Sequence, residues 1–418
     1  ICGGEAYITD VNGVVITKSA IMITCALVSG LITLLMAFYT NFPFALSTGM
    51  GSNFILGALI QSQALSFGAA MAITLISGII FVLLTVFGLR DLIVRVIPKN
   101  IKIAISASIG FFIAYLGFKN CGIGSFENGI ALGNLTDPAV LLAIGGLLLI
   151  IVLNALNVKG AILYGIILTW VLGIICELTG VYVPDPSAGA FSTLPDLSNG
   201  LASFIPASMD PILFQLDFSQ LATFNFVVVL LAFLFVDLFD TVGTLIGVAQ
   251  EGNLLNEKGE LPRVGRALMS DALGTCLGAC LGTSTVTSYV ESTTGVADGG
   301  RTGLTALTSA ILFILAIPLY PIFLAIPSFA TAPALVFVGL LMIKNVTKMD
   351  FDSDIADTVG GFVAIIFMPF AYSIATGIMF GILTWVILKI VTGKIKEIHP
   401  IMWVAFALFA VRIVTMIC

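Results

Sequence analysis

Long apolar segments separated by short polar connections run along the whole chain, and most are long enough to cross a bilayer as a helix. The pattern predicts helical spans at about 19–39, 67–89, 102–118, 138–156, 160–178, 224–248, 302–324, 333–343, 358–372 and 374–390. A last apolar segment, at about 400–416, either spans the membrane or lies on its surface. Residues 179–220 are rich in Pro, Ser and Asp and contain no Lys or Arg, which predicts a loop outside the membrane.

Two stretches break this pattern and are predicted to be interrupted helices. A short span at about 47–62 follows Asn41-Phe-Pro-Phe-Ala-Leu46, whose proline favours an extended approach to the helix. A second short span, at about 267–281, is followed by Gly282-Thr-Ser-Thr-Val-Thr-Ser-Tyr-Val-Glu-Ser-Thr-Thr-Gly295, which is polar and rich in β-branched residues. Non-helical backbone at membrane depth is tolerated where it is buried in protein or lines a cavity, so both stretches are candidate binding segments.

Two acids lie inside an apolar span, Asp237 and Asp240, where each charge costs roughly 2.5 to 3.5 kcal/mol at the helix centre. Because they are three residues apart, they share one helix face and can reach the same cavity. Glu291 lies in the polar stretch, and we interpret the three acids as one polar site. The alternative is that they only join helices through hydrogen bonds, which is less favoured because no Lys or Arg is predicted inside the membrane. Asp271 lies nearer a membrane end, close in sequence to Arg266, and is predicted to be structural.

Composition excludes a soluble fold, because 59% of the 418 residues are hydrophobic, 10% are charged and the mean hydropathy is +1.14. The chain is therefore predicted to be an all-α polytopic protein of the cell membrane, with the lipid bilayer as its solvent. The net charge is −6 and no basic stripe is present, so no nucleic-acid partner is expected. His399 lies in a predicted cytoplasmic loop and no nucleophile–base pair is spaced for catalysis, which argues against an enzyme. Cys276 and Cys280 share a helix face without further ligands nearby, so no metal site is expected.

Loop charges and an internal repeat predict the topology. If the loop with Arg90 and Lys99 is cytoplasmic, alternation of the spans places most of the 17 Lys and Arg residues inside, as the positive-inside rule demands. Tyr164-Gly-Ile-Ile-Leu-Thr-Trp-Val-Leu172 recurs as Phe380-Gly-Ile-Leu-Thr-Trp-Val-Ile-Leu388, and the charge rule makes the two copies cross in opposite directions. Chance similarity between apolar helices is the alternative for the two copies alone. Together the observations predict inverted repeats, the architecture of secondary transporters with a midplane site at interrupted helices.

The chemistry of such a site follows from what an interrupted helix presents. Its first backbone N–H groups and the positive end of its dipole can bind carbonyl or anionic atoms, and Gly49, Gly51 and Gly282 allow close backbone approach. Carboxylates at the same depth accept N–H donors from a ligand or carry a proton. The predicted site therefore suits a flat, neutral solute that has both donors and acceptors and is coupled to H⁺.

Three motifs of the chain resemble the nucleobase–cation symporter family two of the xanthine/uracil permease superfamily, and within it the AzgA-like purine permeases. They are Leu46-Ser-Thr-Gly-Met-Gly-Ser-Asn53, Val236-Asp-Leu-Phe-Asp-Thr-Val-Gly-Thr244 and Thr283-Ser-Thr-Val-Thr-Ser-Tyr-Val-Glu-Ser292, and the resemblance covers nearly the whole chain. It implies a 7+7 inverted-repeat transporter with a core domain, a gate domain and two interrupted segments. The family's first segment is absent from this numbering, so the sequence is expected to be a fragment.

The resemblance also implies domain boundaries. The core domain is expected at 1–92 in the first repeat and 222–326 in the second. The gate domain is expected at 93–180 and 327–393, residues 181–221 form an extracellular or periplasmic loop, and residues 394–418 form a C-terminal segment.

Carried over residue by residue, the family's substrate-binding positions fall on Asp237, Asp240, Glu291, Gly51 and Asn53. The resemblance implies that Glu291 and one aspartate bind the N–H edge of a purine, while the other aspartate helps with proton coupling. All three acids are candidates for the coupling, and the sequence does not decide which aspartate does which. The chain departs from the family pattern just before Gly51, where Ser and Thr stand in place of the usual Ala-Pro, and this bears on which purine is preferred.

The expected function is secondary active uptake of a purine nucleobase by proton symport and alternating access, with the proton as coupling ion and no other cofactor. Phe239 and Tyr289 are candidates for stacking on the base, with helix packing as the alternative for each. The resemblance also implies a homodimer. The second candidate function is an anion transporter of the same 7+7 fold, as in the sulfate-permease group, which Asp240 and Glu291 disfavour because an anion site wants a cation or an uncharged polar residue there.

Overall fold

The structure, a computed structural model, describes residues 7–63, 65–125, 131–185, 191–198, 200–219, 224–257, 260–352 and 354–417. Within these ranges seven helices are long and apolar enough to cross a membrane, and three shorter helices are also apolar. The predicted all-α polytopic architecture is therefore confirmed.

The helices are α1 (Lys18–Thr40), α2 (Met50–Gln61), α3 (Phe67–Val86), α4 (Leu89–Val96), α5 (Lys99–Asn120), α6 (Pro138–Ala155), α7 (Ala161–Leu178), α8 (Phe224–Glu251), α9 (Val264–Leu281), α10 (Ser292–Ala297), α11 (Gly303–Ala316), α12 (Tyr320–Leu324), α13 (Ser328–Ile343), α14 (Ile355–Phe370), α15 (Ile374–Val391) and α16 (Pro400–Ile417). The strands are β1 (Tyr7–Thr9), β2 (Val15–Thr17), β3 (Leu46–Thr48), β4 (Gly124–Ser125), β5 (Ala131–Leu132) and β6 (Val286–Ser288). Short 3₁₀ helices lie at Gly200–Phe204, Lys344–Lys348 and Ile395–Glu397.

Both predicted interruptions are present, and each consists of a short strand followed by a helix. β3 leads into α2 in the first half of the chain, and β6 leads into α10 in the second half. The two strands pair antiparallel, with Leu46 opposite Ser288 and Thr48 opposite Val286, and all of their residues are buried. Two broken segments that run in opposite directions thus satisfy each other's backbone groups, as membrane depth requires.

A threonine from a neighbouring helix holds the first residue of each strand. Thr33 of α1 donates its hydroxyl to the Leu46 carbonyl (3.1 Å) and accepts the Leu46 N–H (2.9 Å). Thr275 of α9 does the same for Val286, at 3.3 and 3.1 Å. These paired bonds replace helical hydrogen bonds that a strand inside the membrane lacks. We call Thr33 and Thr275 the clasp threonines.

The chain divides into two compact units, the first of which comprises Ile1–Ile109, Ser208–Ile314 and Ile343–Cys418. Close helix contacts in this unit depend on glycine. A Cβ built on Gly78 of α3 would lie 2.7 Å from the Cys276 sulfur of α9, and one built on Gly381 of α15 would lie 2.7 Å from the Ala364 Cβ of α14. α9 therefore packs closely against α3, and α14 against α15, because the glycines leave no side chain between the two helices of each pair.

The second unit, Gly110–Ala207 and Leu315–Met342, is built around the hairpin of α6 and α7. A Cβ on Gly165 of α7 would lie 2.2 Å from Ile150 of α6. Trp170 of α7 donates its indole N–H to the Thr193 carbonyl at 2.9 Å and so attaches the following loop. Gly165 and Gly381 belong to the two copies of the internal repeat, and each lies at a close approach between the two helices of a hairpin. The domain boundaries drawn from the resemblance stay a prediction.

Three features of the fold were not predicted. Residues 7–17 form a hairpin, β1–β2, and Asp10 within it accepts the Phe67 N–H at the start of α3. The basic stretch after α3 is helical (α4) rather than a loop. The single span expected at 302–324 is wrong, because α11 ends at Ala316 and a new helix, α12, begins at Tyr320. Pro318 lies in the break, and Pro321 lies in the first turn of α12, where proline is tolerated.

An ion cluster closes one end of the α14–α15 pair. Asp354 caps α14 by accepting the Ala356 N–H at 3.0 Å, and it pairs with Lys389 (2.5 Å) and Lys394 (3.1 Å). The hydrogen bond from Lys389 holds the pKa of Asp354 well below its ordinary value of 3.8.

Candidate functional site

The carboxyl group of Asp237 is buried without a hydrogen-bond partner. Its residue is 1% exposed on α8, and neither oxygen accepts a hydrogen bond from any part of the chain that the structure describes. The Thr285 hydroxyl is close enough to interact with this carboxyl, but it is bonded to Ser52 at 2.6 Å. An unpaired carboxylate in an apolar interior is too costly to keep without a role. Asp237 is therefore a strong candidate for binding a ligand or a proton.

Two hydroxyl groups near the strands are unsatisfied as well. Ser288 Oγ on β6 and Thr293 Oγ1 on α10 are buried and have no partner among the described residues. Nearly all buried polar atoms of folded proteins are hydrogen-bonded, so each exception needs an explanation. β6 and α10 both pack against α8, which carries Asp237. The unsatisfied atoms on these three elements are the expected signature of a site that a polar ligand completes.

Asp240 lies one step further around α8 and has different surroundings. It is 9% exposed and is rotated about 60° from Asp237 around the helix axis. A further rotation of about 60° in the same direction around the helix reaches Gly243. A Cβ placed on Gly243 would lie 3.0–3.5 Å from Ile105, Ile109 and Ile378. Asp240 therefore lies between the side of α8 that faces the strands and the side packed on α5 and α15, so the two aspartates are not equivalent.

Asn53 joins the two broken segments. It lies in the first turns of α2, donates its amide N–H to Thr48 at 3.3 Å, and accepts the Ser284 hydroxyl from the second half of the chain. Tyr289 donates its hydroxyl to the Thr48 carbonyl at 2.8 Å, and its N–H bonds to Ala45 at 2.9 Å. The predicted residue Asn53 is thus part of a hydrogen-bonded wall built from both repeats.

Glu291 marks the start of α10, but this half-helix differs from the expectation. The N–H groups of Ser292, Thr293 and Thr294 donate to carbonyls three residues earlier. These N–H groups are therefore hydrogen-bonded within their own turn. α10 does not present the free N–H donors that the sequence suggested for both interrupted helices. Glu291 itself is half-buried, and no hydrogen bond joins its carboxyl to the other predicted site residues in the described part of the chain.

The glycines of the interrupted segments act largely as predicted. Gly49 donates its N–H to the Thr285 carbonyl at 2.8 Å, and a Cβ there would lie 3.0 Å from Ser52 Oγ. Gly282 ends α9 with a φ of +88°, and a Cβ there would lie 2.5 Å from the Ile212 carbonyl.

Two predicted residues lie partly outside the described structure. Gly51 belongs to the first turn of α2, but its surroundings fall outside the described residues, as does the side chain of Phe239. Their predicted roles stay predictions.

The sequence reasoning missed a buried ion pair between Arg90 and Asp271. Arg90 and Asp271 are both 0% exposed and pair at 2.9 Å, so a basic residue assigned to a cytoplasmic loop lies in the protein interior. Arg90 also donates to the Leu268 carbonyl at 3.1 Å and stacks over the Phe81 ring at 4.3 Å. Asp271, which was predicted to be structural, is thus one half of this pair. One signal for this pair was present in the sequence, namely the acid itself. A buried carboxylate needs a cationic partner, and no neighbouring span contains one, so the partner had to come from a distant part of the chain.

The geometry brings Asp237 together with Thr285 and Ser52, and Asn53 together with Ser284, around two antiparallel strands. Such an arrangement can accept N–H donors and donate to ring nitrogens or carbonyls, and it can store a proton. Two broken helices that meet at antiparallel strands beside buried acids define an inverted-repeat secondary transporter.

The chain belongs to the Permease family, whose model (Xan_ur_permease) matches residues 8–380. It is 37% identical to the guanine/hypoxanthine permease PbuG of Bacillus subtilis, over 94% of this chain and 86% of that protein. It is 33% identical to the adenine permease AdeP of Escherichia coli, over 95% of this chain and 85% of that protein. The protein is therefore a multi-pass permease of the cell membrane and not an enzyme.

Solved structures confirm the fold. The transmembrane domain of the cyanobacterial bicarbonate transporter BicA matches 85% of this chain and 89% of its own length, with a TM-score of 0.58 and 13% identity. The murine anion transporter Slc26a9, in an inward-facing state, matches 88% of this chain with a TM-score of 0.52 and 12% identity. At these identities the likeness shows the 7+7 inverted-repeat fold alone.

Proposed function

We propose that the protein carries purine nucleobases of the adenine, guanine and hypoxanthine class across the membrane, together with a proton, by alternating access. The observation that carries the proposal is the unpartnered Asp237 carboxyl beside two broken helices, in a chain whose relatives are named as adenine and guanine/hypoxanthine permeases. The anion alternative draws support only from fold likeness.

A purine base matches the hydrogen-bonding groups of the site. Its ring and exocyclic N–H groups are donors for a carboxyl oxygen of Asp237 or Glu291. Its ring nitrogens and carbonyl oxygens are acceptors for the second N–H of the Asn53 amide and for the first turn of α2. The unsatisfied hydroxyls of Ser288 and Thr293 can donate or accept, which suits bases that differ in their donors and acceptors.

Proton coupling is assigned to Asp237 in this proposal, with Asp240 and Glu291 as acids that orient the base. An unpaired carboxyl group tolerates burial as the neutral acid far better than as the anion. Loading a proton on Asp237 therefore prepares the site for a neutral base, and loss of that proton on the other side favours release. Asp240, which lies toward the α5 and α15 side of α8, is placed to sense the movement of those helices.

Uptake into proteoliposomes tests the proposal. The full-length protein is supplied with labelled adenine, guanine, hypoxanthine, uracil or sulfate, under an inward proton gradient, an inward sodium gradient or none. Saturable purine uptake that needs the proton gradient supports the proposal. Sulfate uptake, or purine uptake driven by sodium alone, contradicts it.

Conservative variants test the residue roles in the same assay. Asp237→Asn should abolish proton-driven accumulation, and Glu291→Gln and Asn53→Ala should raise the KM for the base. Asp352→Asn, at an exposed acid in a loop, is the matched control and should transport like the unsubstituted protein. Equal uptake by all four variants would contradict the site. The homodimer that the resemblance implies stays a prediction.

A further inference from the structure

The Arg90–Asp271 pair is a buried pair of charges that the proposed transport site does not use directly. Taking two charges out of water is costly, and replacing such a pair by apolar residues is often neutral or stabilising. A pair of this kind is therefore weak evidence for a stabilising role. Its retention beside the transport helix calls for a role that depends on charge.

The pair is held in a fixed geometry that leads to α8. The guanidinium of Arg90 is oriented by Asp271, by the Leu268 carbonyl and by the Phe81 ring, while its Nε is buried without a partner in the described structure. The second carboxylate oxygen of Asp271 accepts the Thr241 hydroxyl at 2.7 Å. Side-chain contacts thus connect Arg90 of α4 to Asp271 of α9, and Asp271 to Thr241 of α8.

Thr241 lies one helical turn after Asp237, so this series of contacts ends beside the unpartnered acid. Asp271 is the member of the ion pair that is hydrogen-bonded to α8, so it links Arg90 to the helix that carries Asp237. Asp240 lies on the same helix. Among the other described elements that pack on α8, α10 is preceded by its N-cap residue Glu291, and α15 carries Lys389 in its last turn.

Asp271 and Asp237 differ in the groups that surround their carboxylates. Asp271 pairs with a cation and accepts a hydroxyl group, which favour an ionised carboxylate, whereas Asp237 forms no ion pair and accepts no hydrogen bond in the described structure. Pairs of acids whose environments differ in this way divide the labour, with one holding the charge and the other exchanging the proton.

We propose that the Arg90–Asp271 ion pair is the fixed counter-charge that sets how tightly Asp237 holds its proton, so that Arg90 and Asp271 are positioning residues for proton coupling. The inference rests on the proposed function, because it assigns the regulation of the same proton site. Removing the positive charge of Arg90 should tighten proton binding at Asp237, and removing the negative charge of Asp271 should weaken it.

The test is the dependence of initial purine uptake on external pH for purified protein in proteoliposomes. Uptake by the unsubstituted protein should fall as the pH rises through the value at which the site loses its proton. Arg90→Gln should move the midpoint of this fall to higher pH, and Asp271→Asn should move it to lower pH, each by about one unit or more. Arg90→Lys keeps the charge and should keep the midpoint.

A purely structural pair predicts a different result, namely lower maximal uptake in both single variants with superimposable pH profiles. That result, or shifts in the same direction for both variants, would overturn the inference. In an Asp237→Asn background neither substitution should shift the remaining pH dependence of base binding, and a persisting shift would also overturn it.

Each single variant leaves a lone buried charge, which can prevent folding, so the double variant Arg90→Gln/Asp271→Asn is included. It should follow Asp271→Asn toward lower pH, because Asp271 is the member of the pair that is hydrogen-bonded to α8, one helical turn from Asp237. An unshifted double variant would contradict the inference. Absence of proton-dependent uptake in the unsubstituted protein would instead defeat the proposed function, and the inference with it.

Discussion

Replacing the clasp threonine Thr33 by valine should destabilise the protein far more than the loss of one hydroxyl group normally does. Valine keeps the shape of the side chain but removes the only atom that both accepts the Leu46 N–H and donates to the Leu46 carbonyl. Each buried backbone group left without a partner costs about 1–3 kcal/mol, so the pair costs about 2–6 kcal/mol. Water cannot easily replace the lost bonds, because Thr33 and Leu46 are fully buried.

The same helix offers a matched control in Thr24. It is also buried, but its hydroxyl donates at 2.9 Å to the Ala20 carbonyl of its own helix, and that carbonyl keeps its helical bond when the hydroxyl is removed. Thr24→Val should therefore cost less than about 1 kcal/mol. Thr33→Ser, which retains the hydroxyl, should recover most of the stability lost in Thr33→Val.

The assay is the midpoint of thermal unfolding of detergent-solubilised protein, read as the fraction that stays monodisperse in size-exclusion chromatography after heating. Thr33→Val should melt clearly below Thr24→Val, and Thr275→Val should match Thr33→Val because its clasp has the same form. Equal midpoints for Thr33→Val and Thr24→Val would refute the reasoning, since the two-way bond would then carry no special weight.

Three further predictions concern other parts of the molecule. Asp354→Asn should lower the unfolding midpoint at neutral pH, and its difference from the unsubstituted protein should shrink below about pH 4, because the lowered pKa of Asp354 adds stability only while the acid is ionised. Gly381→Ala should reduce the amount of folded protein in a size-exclusion profile, since its Cβ meets α14 at 2.7 Å, whereas Gly145→Ala, in open space, should be neutral. Labelling of half-buried Cys25, whose sulfur lies 3.3 Å from a threonine hydroxyl where the strands meet, by a small thiol reagent should slow when a purine is bound, and unchanged labelling would place the base elsewhere.

Much of the fold could be predicted because the bilayer leaves few choices. A membrane-length apolar segment must be helical, and a polar or proline-led segment at the same depth must break and find partners in protein. Pro43 and the polar stretch around Thr285 therefore located both interruptions. The spacing of Asp237 and Asp240 likewise predicted that they share one face of their helix.

Other features could not be predicted, because they depend on which distant segments meet. Nothing in the local sequence indicated that Arg90 leaves its basic stretch and pairs with Asp271, 181 residues away. The local use of the α10 N–H groups depends on backbone dihedrals after Tyr289 rather than on residue type. In the sequence, the clasp threonines are indistinguishable from other small polar residues of apolar helices. Their role becomes apparent only from the strands to which they are hydrogen-bonded.

The pairing of β3 with β6 has a consequence for how the protein is made. Leu46 and Ser288 are about 240 residues apart, and ribosomes add roughly 5–20 residues per second, so β3 waits about 10–50 s for its partner. During that interval the backbone of the first broken segment is unpaired apart from its clasp to Thr33, in a membrane that offers no water to satisfy it. β3 therefore has to stay away from lipid until the second half arrives, and neither half can complete the backbone pairing of its own strand alone.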